Sequence, residues 1–255
     1  MNTLENFSTP VVGDDAGCDH ARADLTTDKV EQRALHALFR QADVRGLIFD
    51  LDGTLIDSAD DIVGSMRDML RETGYGEVPQ DYFPENLHGT SDGIIRDVMR
   101  DMGWAAPDDL TELKATYYRI YAERGHANTR LYPHAWEILR QCSEHFSLGV
   151  CTNKIYRNAV SVTDTLGIRQ HFAAITGADS WAAAKPSPVP LLETIRTLNL
   201  RPEECLYFGD TSVDAECAAR AGVRFVLHES GYGDPALHKQ PCHHAFKQWK
   251  ELLTV

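Results

Sequence analysis

Two pairs of carboxylates stand where apolar runs of this chain end. Asp50 and Asp52 follow "GLIF", one residue apart, in "GLIFDLDGT", and Asp210 and Asp214 follow "CLYFG", four residues apart, in "CLYFGDTSVD". A third run, "SLGVC", ends at Thr152 and Asn153, and a cation, Lys185, sits in "AAAKPSP". If these ends share one cleft, the carboxylates repel one another and take up protons unless a divalent cation neutralises them. Donors that are all oxygen suit Mg²⁺ best, because it holds a few carboxylates, keeps waters and accepts a phosphate oxygen. An Asp-x-Asp-Gly sequence alone is also an ordinary turn, since Asp and Gly favour such conformations. The other polar run-ends are what argue for chemistry.

Bringing such groups together takes rigid elements. Five short runs, "GLIFD", "SLGVCT", "FAAITG", "CLYFGD" and "VRFVLH", read as strands ending at Asp50, Thr152, Gly177, Asp210 and His228. Helical patterns such as "SPVPLLETIRTLNL" and "SVDAECAARAG" separate the later ones. Strand and helix in alternation predict an α/β fold with a doubly wound parallel sheet, in which ligands sit outside the carboxyl ends of the strands. The interval between the first two strands is too long for one crossover and is helical throughout. Ser58, three residues before Asp61, reads as an acidic variant of a capping pattern, and Ile62, Met66, Met69 and Leu70 follow on one face. "DGIIRDVMRDMG" and "DDLTELKATYYRIYAERG" supply two more helices, with "GWAAPDD" as the break between them. Residues 58–129 are therefore expected as an inserted helical cap, residues 44–57 and 130–255 as the core. Residues 1–43 are expected as a polar tail followed by a short amphipathic helix over 28–41.

Bulk properties narrow the partners. The 255 residues are 43% hydrophobic, enough for a full core, and carry a formal charge of -13. That charge argues against nucleic acid and anionic membranes, which need a basic footprint. A small phosphate compound is repelled too, unless a metal or a local lysine reverses the field. The six cysteines include no CxxC pair, which reads as buried thiols in a reducing compartment; Cys151 is expected as a small core residue rather than a nucleophile. "CHH" at 242–244 is expected as a surface segment, since adjacent residues cannot all face one ion. The first thirty residues hold several acids and no apolar run, and nothing later is long enough to span a bilayer, so a cytoplasmic protein is expected.

The motifs "DLDGT" (50–54), "CTNK" (151–154), "KPSP" (185–188) and "GDTSVD" (209–214), in this order, resemble the haloacid dehalogenase superfamily, and within it the phosphatases with a helical cap. "LDGTLIDSADDI" and "GDTSVDAECAARAG" are most similar to its phosphoglycolate phosphatase group. The resemblance implies a phosphomonoester hydrolase acting on a small organic phosphate, of the phosphoglycolate or sugar-phosphate type, through an aspartyl-phosphate. Asp50 would attack phosphorus, and Asp52 would protonate the leaving alkoxide and then activate water. Thr152, the Asn153 backbone and Lys185 would bind the phosphoryl oxygens. The resemblance also implies Mg²⁺ on the side chains of Asp50 and Asp210 and the backbone carbonyl of Asp52, with Asp214 orienting Lys185 or a metal-bound water. Dehalogenases of the superfamily lack the second acid, so Asp52 favours phosphate esters over carbon–halogen bonds.

In the cap, "LHGTSDGIIRD" offers His88, Ser91 and Arg96 as residues that could meet the substrate beyond its phosphate; each could equally be an ordinary surface group. Where the group commonly has Gly after Pro near the cap's exit, "LYPHAWEIL" carries His134. A phosphosugar mutase of the same architecture is an alternative, although Thr54 after the DxDG is uncommon among mutases. Phosphonate hydrolysis would need a cap lysine, and Lys114 lies mid-helix. A binding or regulatory protein that kept the fold is a third reading, against which the joint presence of Asp50, Asp52, Lys185 and Asp210 argues.

Overall fold

The structure, a computed structural model, describes residues 37–41, 43–87 and 89–253. The polar tail, most of the helix expected over 28–41, and His88 lie outside the described residues. The chain runs β1 (Gly46–Phe49), β2 (Ile56–Asp57), α1 (Ala59–Glu72), α2 (Ser91–Asp101), α3 (Thr111–Arg124), β3 (Arg130–Leu131), α4 (Ala135–Ser143) and β4 (Ser147–Cys151). It continues through α5 (Tyr156–Thr165), β5 (Ala174–Thr176), α6 (Val189–Thr197), β6 (Cys205–Gly209), α7 (Ser212–Ala221), β7 (Arg224–His228) and β8 (His244–Phe246).

Six strands form one parallel sheet in the order β5-β4-β1-β6-β7-β8. Its strands are apolar on both faces because helices cover both. Alternation along each strand sorts the side chains. Leu47 and Phe49 of β1, with Leu206 and Phe208 of β6, pack with Ile138 and Leu139 of α4 and Val162 of α5. Ile48, Cys205 and Tyr207 turn the other way, toward Leu191 and Ile195 of α6 and Ala215 and Ala218 of α7. Cys151 is buried on this second face, as expected of a core thiol. All five expected strands are present. The sixth, β8, begins at His244, inside the stretch expected only as surface; Cys242 and His243 are indeed exposed.

β1 lies between β4 and β6, and the chain leaves it in one direction for β4 and β5 before returning to the other side for β6, β7 and β8. This reversal opens a crevice at the carboxyl ends of β1, β4 and β6. Over it sit α1, α2 and α3, with an apolar cluster of their own in which Met66, Met69, Ile95, Met99 and Tyr121 are buried. Two two-residue strands absent from the sequence reading, β2 and β3, pair antiparallel where the chain leaves the core and returns. The Asp61 carboxylate reinforces that junction, accepting from the Asn128 backbone N–H (3.0 Å), Asn128 Nδ2 (3.1 Å) and the Thr129 hydroxyl (2.7 Å). Asp61 is thus a tie across the junction. Ser58, read as a helix cap, makes no side-chain cap bond; its hydroxyl turns toward the crevice.

Candidate active site

The backbone N–H of Asp50 continues the sheet by donating to Phe208 O (2.8 Å), so the first acid leaves the sheet in a fixed direction. Gly53 then turns the chain with φ +82°, and a Cβ there would stand 2.1 Å from Asp210 Oδ2. Glycine is required at this position by conformation and by proximity together. The Thr54 hydroxyl donates to Asp210 Oδ1 (2.7 Å), and the Tyr232 backbone N–H donates to Asp210 Oδ2 (2.8 Å). Asp214 falls in the first turn of α7, where it exchanges bonds with Thr211 as a capping pair. The four-residue spacing therefore places one acid at the strand end and the other on the helix that follows.

Lys185 reaches into this group, with a side chain only 2% exposed. Its Nζ donates to Asp214 Oδ1 (2.6 Å) and Tyr207 Oη (2.9 Å), and lies 3.1 Å from Asp50 Oδ1 without the alignment of a hydrogen bond. The Asn153 side chain holds the lysine's own backbone, accepting from Lys185 N (3.0 Å) and donating to Lys185 O (3.2 Å). Burial lowers an ammonium's basicity, but the facing charges of Asp214 and Asp50 prevail and hold Lys185 well above the usual lysine range. Asp214 shows the converse. Burial alone would raise it, yet the Lys185 charge and the bonds from Lys185, Thr211 and Tyr207 hold it below the usual carboxylate range.

The other two buried acids are not so well compensated. Burial pushes Asp50 up to about 7, with the charge of Lys185 opposing and those of Asp214 and Asp52 reinforcing. Burial, then Asp214 and Asp50, push Asp210 well up. Oxygen atoms of Asp50, Asp210 and Asp214 all lie within 4.8 Å of one another, and Asp50 Oδ1 is buried with no hydrogen-bond partner. Both Asp214 oxygens are already bonded, Oδ1 to Lys185 and Tyr207 and Oδ2 to Thr211. Crowded oxygen donors, with one orphaned and two held in the protonated direction, fit a hard divalent cation. Asp50 has an unbonded oxygen, and Asp210 accepts one bond per oxygen from Thr54 and the Tyr232 backbone rather than from an ammonium, so these two acids are the better placed to hold it.

Asp52 takes a different environment. Lys154 Nζ donates to both its oxygens (2.8 and 2.9 Å), and the Ser58 hydroxyl donates to Oδ1. The Lys154 side chain is 6% exposed and its ammonium lies 4.8 Å from the centre of the Tyr121 ring. Asp50, Asp52, Thr152, Asn153 and Lys154 form the floor of a cleft of about 60 Å³. Its roof is Ile62, Leu87, Ile94 and the tyrosines 117, 118 and 121, with Ser91 at their side. Ser91 shares a hydrogen bond with Tyr118 Oη (2.6 Å).

The expected core residues thus come together; of the expected cap residues Ser91 borders the cleft, Arg96 does not, and His88 lies outside the described residues. Arg96 is spent on structure, donating to Pro107 O (3.1 Å) and Asp108 O (2.9 Å), and it does not border the cleft. His134 is exposed, 3.6 Å from Glu137, and its φ of +68° explains why a glycine suits that position. Lys114 pairs with Asp92 at 3.0 Å. As site residues Lys154, Ser58, Tyr207 and Tyr232 escaped the sequence reading, which took Ser58 for a helix cap and Lys154 only as the end of "CTNK". A phenol inside the apolar run "CLYFG" and the last residue of "CTNK" were the available signals for Tyr207 and Lys154.

Residues 47–228 match the haloacid dehalogenase-like hydrolase family, and the chain belongs to it. Within that family it is a hydrolase of the phosphatase type, similar to phosphoglycolate phosphatases. The one from Aquifex aeolicus is 35% identical over 193 residues, covering 74% of this chain and 86% of its own length. That of Cereibacter sphaeroides (strain ATCC 17029 / ATH 2.4.9) is 34% identical over 210 residues, covering 81% and 95%. The crystal structure of a haloacid dehalogenase-like hydrolase from Bacteroides fragilis superposes with a TM-score of 0.73 at 27% identity, over 82% of this chain and 100% of the other. The family implies a divalent metal and a phosphate-ester substrate. Among the described residues, no helix is long and apolar enough to cross a membrane.

Proposed function

We propose that the protein is a Mg²⁺-dependent phosphomonoester hydrolase for a small organic phosphate, of the phosphoglycolate or sugar-phosphate type, acting through an aspartyl-phosphate on Asp50. One observation carries this reading: Asp50 Oδ1 is buried and unbonded at the cleft floor, beside Lys185 and two further carboxylates. With that oxygen turned to the cation, the other oxygen of the carboxylate is left to attack phosphorus. Mg²⁺, held by Asp50, Asp210 and the Asp52 carbonyl, would neutralise the phosphate and make approach to an acidic floor favourable.

The remaining steps belong to the chain's own groups. Lys185, kept charged by Asp214, and Thr152 stabilise charge on the transferring phosphoryl group. Asn153 contributes by holding the Lys185 loop and through its own backbone N–H. Asp52 donates a proton to the leaving oxygen and later takes one from the attacking water. Lys154 and Ser58 fix its orientation in the meantime.

The helices over 58–129 serve as a cap. Closure of the cap over a bound phosphate ester excludes water from the phosphoryl site. Of the three cap residues expected at the substrate's remote end, Ser91 borders the cleft and is retained in that role, together with Tyr118. Assaying purified protein against a panel of phosphorylated metabolites, with and without Mg²⁺, tests the reading. Release of phosphate from small monoesters in the presence of Mg²⁺ alone supports it; no release from any member refutes it.

A further inference from the structure

The loop after β7 belongs to the core, yet its Tyr232 ring packs against the apolar cluster of α1, α2 and α3. The same residue touches both halves of the site. Its backbone N–H donates to Asp210 Oδ2 (2.8 Å), on the side of the crowded carboxylates. Its hydroxyl accepts from the Ser58 backbone N–H (2.9 Å), lies 3.2 Å from the Ser58 hydroxyl and donates to Asp57 Oδ1 (3.4 Å). Ser58 immediately precedes α1, and its hydroxyl donates to Asp52. A continuous line of hydrogen bonds therefore runs Asp210–Tyr232–Ser58–Asp52. It joins the carboxylate that would hold a cation, the residue just ahead of the inserted helices and the acid that would move the proton.

The loop has little freedom to relax away from Asp210. A Cβ on Gly231 would stand 2.3 Å from Asp210 Cβ and 2.4 Å from Gly53 O, so the backbone runs hard against both motif loops. Movement of Asp210 must pass into Tyr232, and from its hydroxyl into the cap's entrance.

We infer that Tyr232 is a positioning residue that couples occupancy of the cation site to the seating of the cap entrance, and through Ser58 to the orientation of Asp52. This rests on the cation-dependent reading above. A cation that fixes Asp210 fixes the Tyr232 hydroxyl, which in turn holds the Ser58 amide. Coupling of this kind is a free energy shared between two sites and has a measurable size in the absence of substrate.

The test uses the full chain without substrate. Mg²⁺ binding is followed by calorimetry, and amide hydrogen exchange over residues 57–62 is measured without Mg²⁺ and at saturation. In the unsubstituted protein, saturation is expected to slow exchange there by about fivefold or more, the lower range of coupling between sites. Tyr232→Phe keeps the ring in the cap cluster and the backbone bond to Asp210; it should bind Mg²⁺ and lose that protection. Ser58→Ala keeps the amide that Tyr232 holds; it should retain the protection while losing rate on alkyl phosphates, because Asp52 is then held by Lys154 alone. Equal protection in Tyr232→Phe and the unsubstituted protein overturns the inference, as does an unsubstituted protein whose exchange ignores bound Mg²⁺. Failure to bind Mg²⁺ at all is seen in the calorimetry and overturns the cation-dependent reading and this inference together.

Discussion

Behind the floor of the cleft, against Asp50, Lys185 and Asp214 have side chains 2% and 1% exposed and meet at 2.6 Å, with Tyr207 and Thr211 filling the remaining bonds. At the roof stand Ile62, Leu87, Ile94 and three tyrosines, uncharged side chains with one hydroxyl pair between Ser91 and Tyr118. The difference teaches where chemistry and selectivity reside. Groups locked by several charged bonds cannot be replaced without leaving a buried partner unsatisfied. Apolar contacts discriminate by shape and shift by small increments. The floor should therefore be intolerant and the roof adjustable.

Asp50→Asn applies the strongest pressure to this contrast. The amide is a poor nucleophile and removes a charge from the cation site, so kcat should fall by roughly 10⁴-fold or more, as for other lost nucleophiles. Steady-state kinetics on any hydrolysed monoester decide it, and substantial turnover after chelation would break the account.

Asp52→Asn spares the nucleophile and should cost about 10² to 10⁴ in rate, the range for lost proton transfer. An aryl phosphate with an acidic leaving group needs little protonation and should suffer less than an alkyl phosphate. Equal losses in the phosphorylation step on both would show that Asp52 is not the acid.

A smaller, graded effect concerns pH. Asp50 is pushed up from 3.8 to about 7, so between about pH 4 and about pH 7 the unfolded chain has released a proton that the native metal-free protein retains. Stability of the metal-free protein should therefore fall as pH rises through that window, and Mg²⁺ should remove the dependence. Since the cation displaces this proton and any that Asp210 retains, Mg²⁺ affinity should rise with pH below about 7, by about tenfold per unit for each proton displaced. Thermal unfolding and calorimetric titration across the window check both slopes; flat profiles would mean that Asp50 is already ionised without the metal.

The smallest effect is expected at the roof's outer edge. Arg96→Ala loses two bonds to backbone carbonyls on an exposed face, costing about 1 kcal/mol or less. KM for every substrate should stay unchanged. A substrate-dependent KM would return Arg96 to the binding surface and erase the distinction between cleft-lining and cleft-remote cap residues.

The same contrast explains what could be read from the sequence. β1, β4, β5, β6 and β7 were legible because buried parallel strands are continuous apolar runs, and their polar ends mark the crevice. The long helical interval announced an insertion. β2 and β3 span two residues each, too short for any periodicity to register, and β8, His244–Phe246, lies in a polar stretch with no apolar run to mark it. Among the side chains, Asp50, Asp52, Lys185, Asp210 and Asp214 stood out because carboxylates and a lysine beside apolar runs need a reason. Lys154 and Tyr232 did not, since their partners Asp52 and Ser58 are 102 and 174 residues away, and no local pattern encodes such a pairing. Ser58 misled for the opposite reason: its spacing to Asp61 satisfied a local rule, while both side chains had tertiary partners that prevailed.

Trapping the phosphorylated enzyme tests the central claim most directly. A single turnover with Mg²⁺ and a small phosphate monoester, quenched in acid within the first catalytic cycle, should leave phosphate on the peptide that contains Asp50. Reduction of the acyl-phosphate should mark that residue, and Asp50→Asn should show no label. Phosphate on another residue, or turnover with no trapped phosphate under conditions where the first step outpaces the second, would contradict the account.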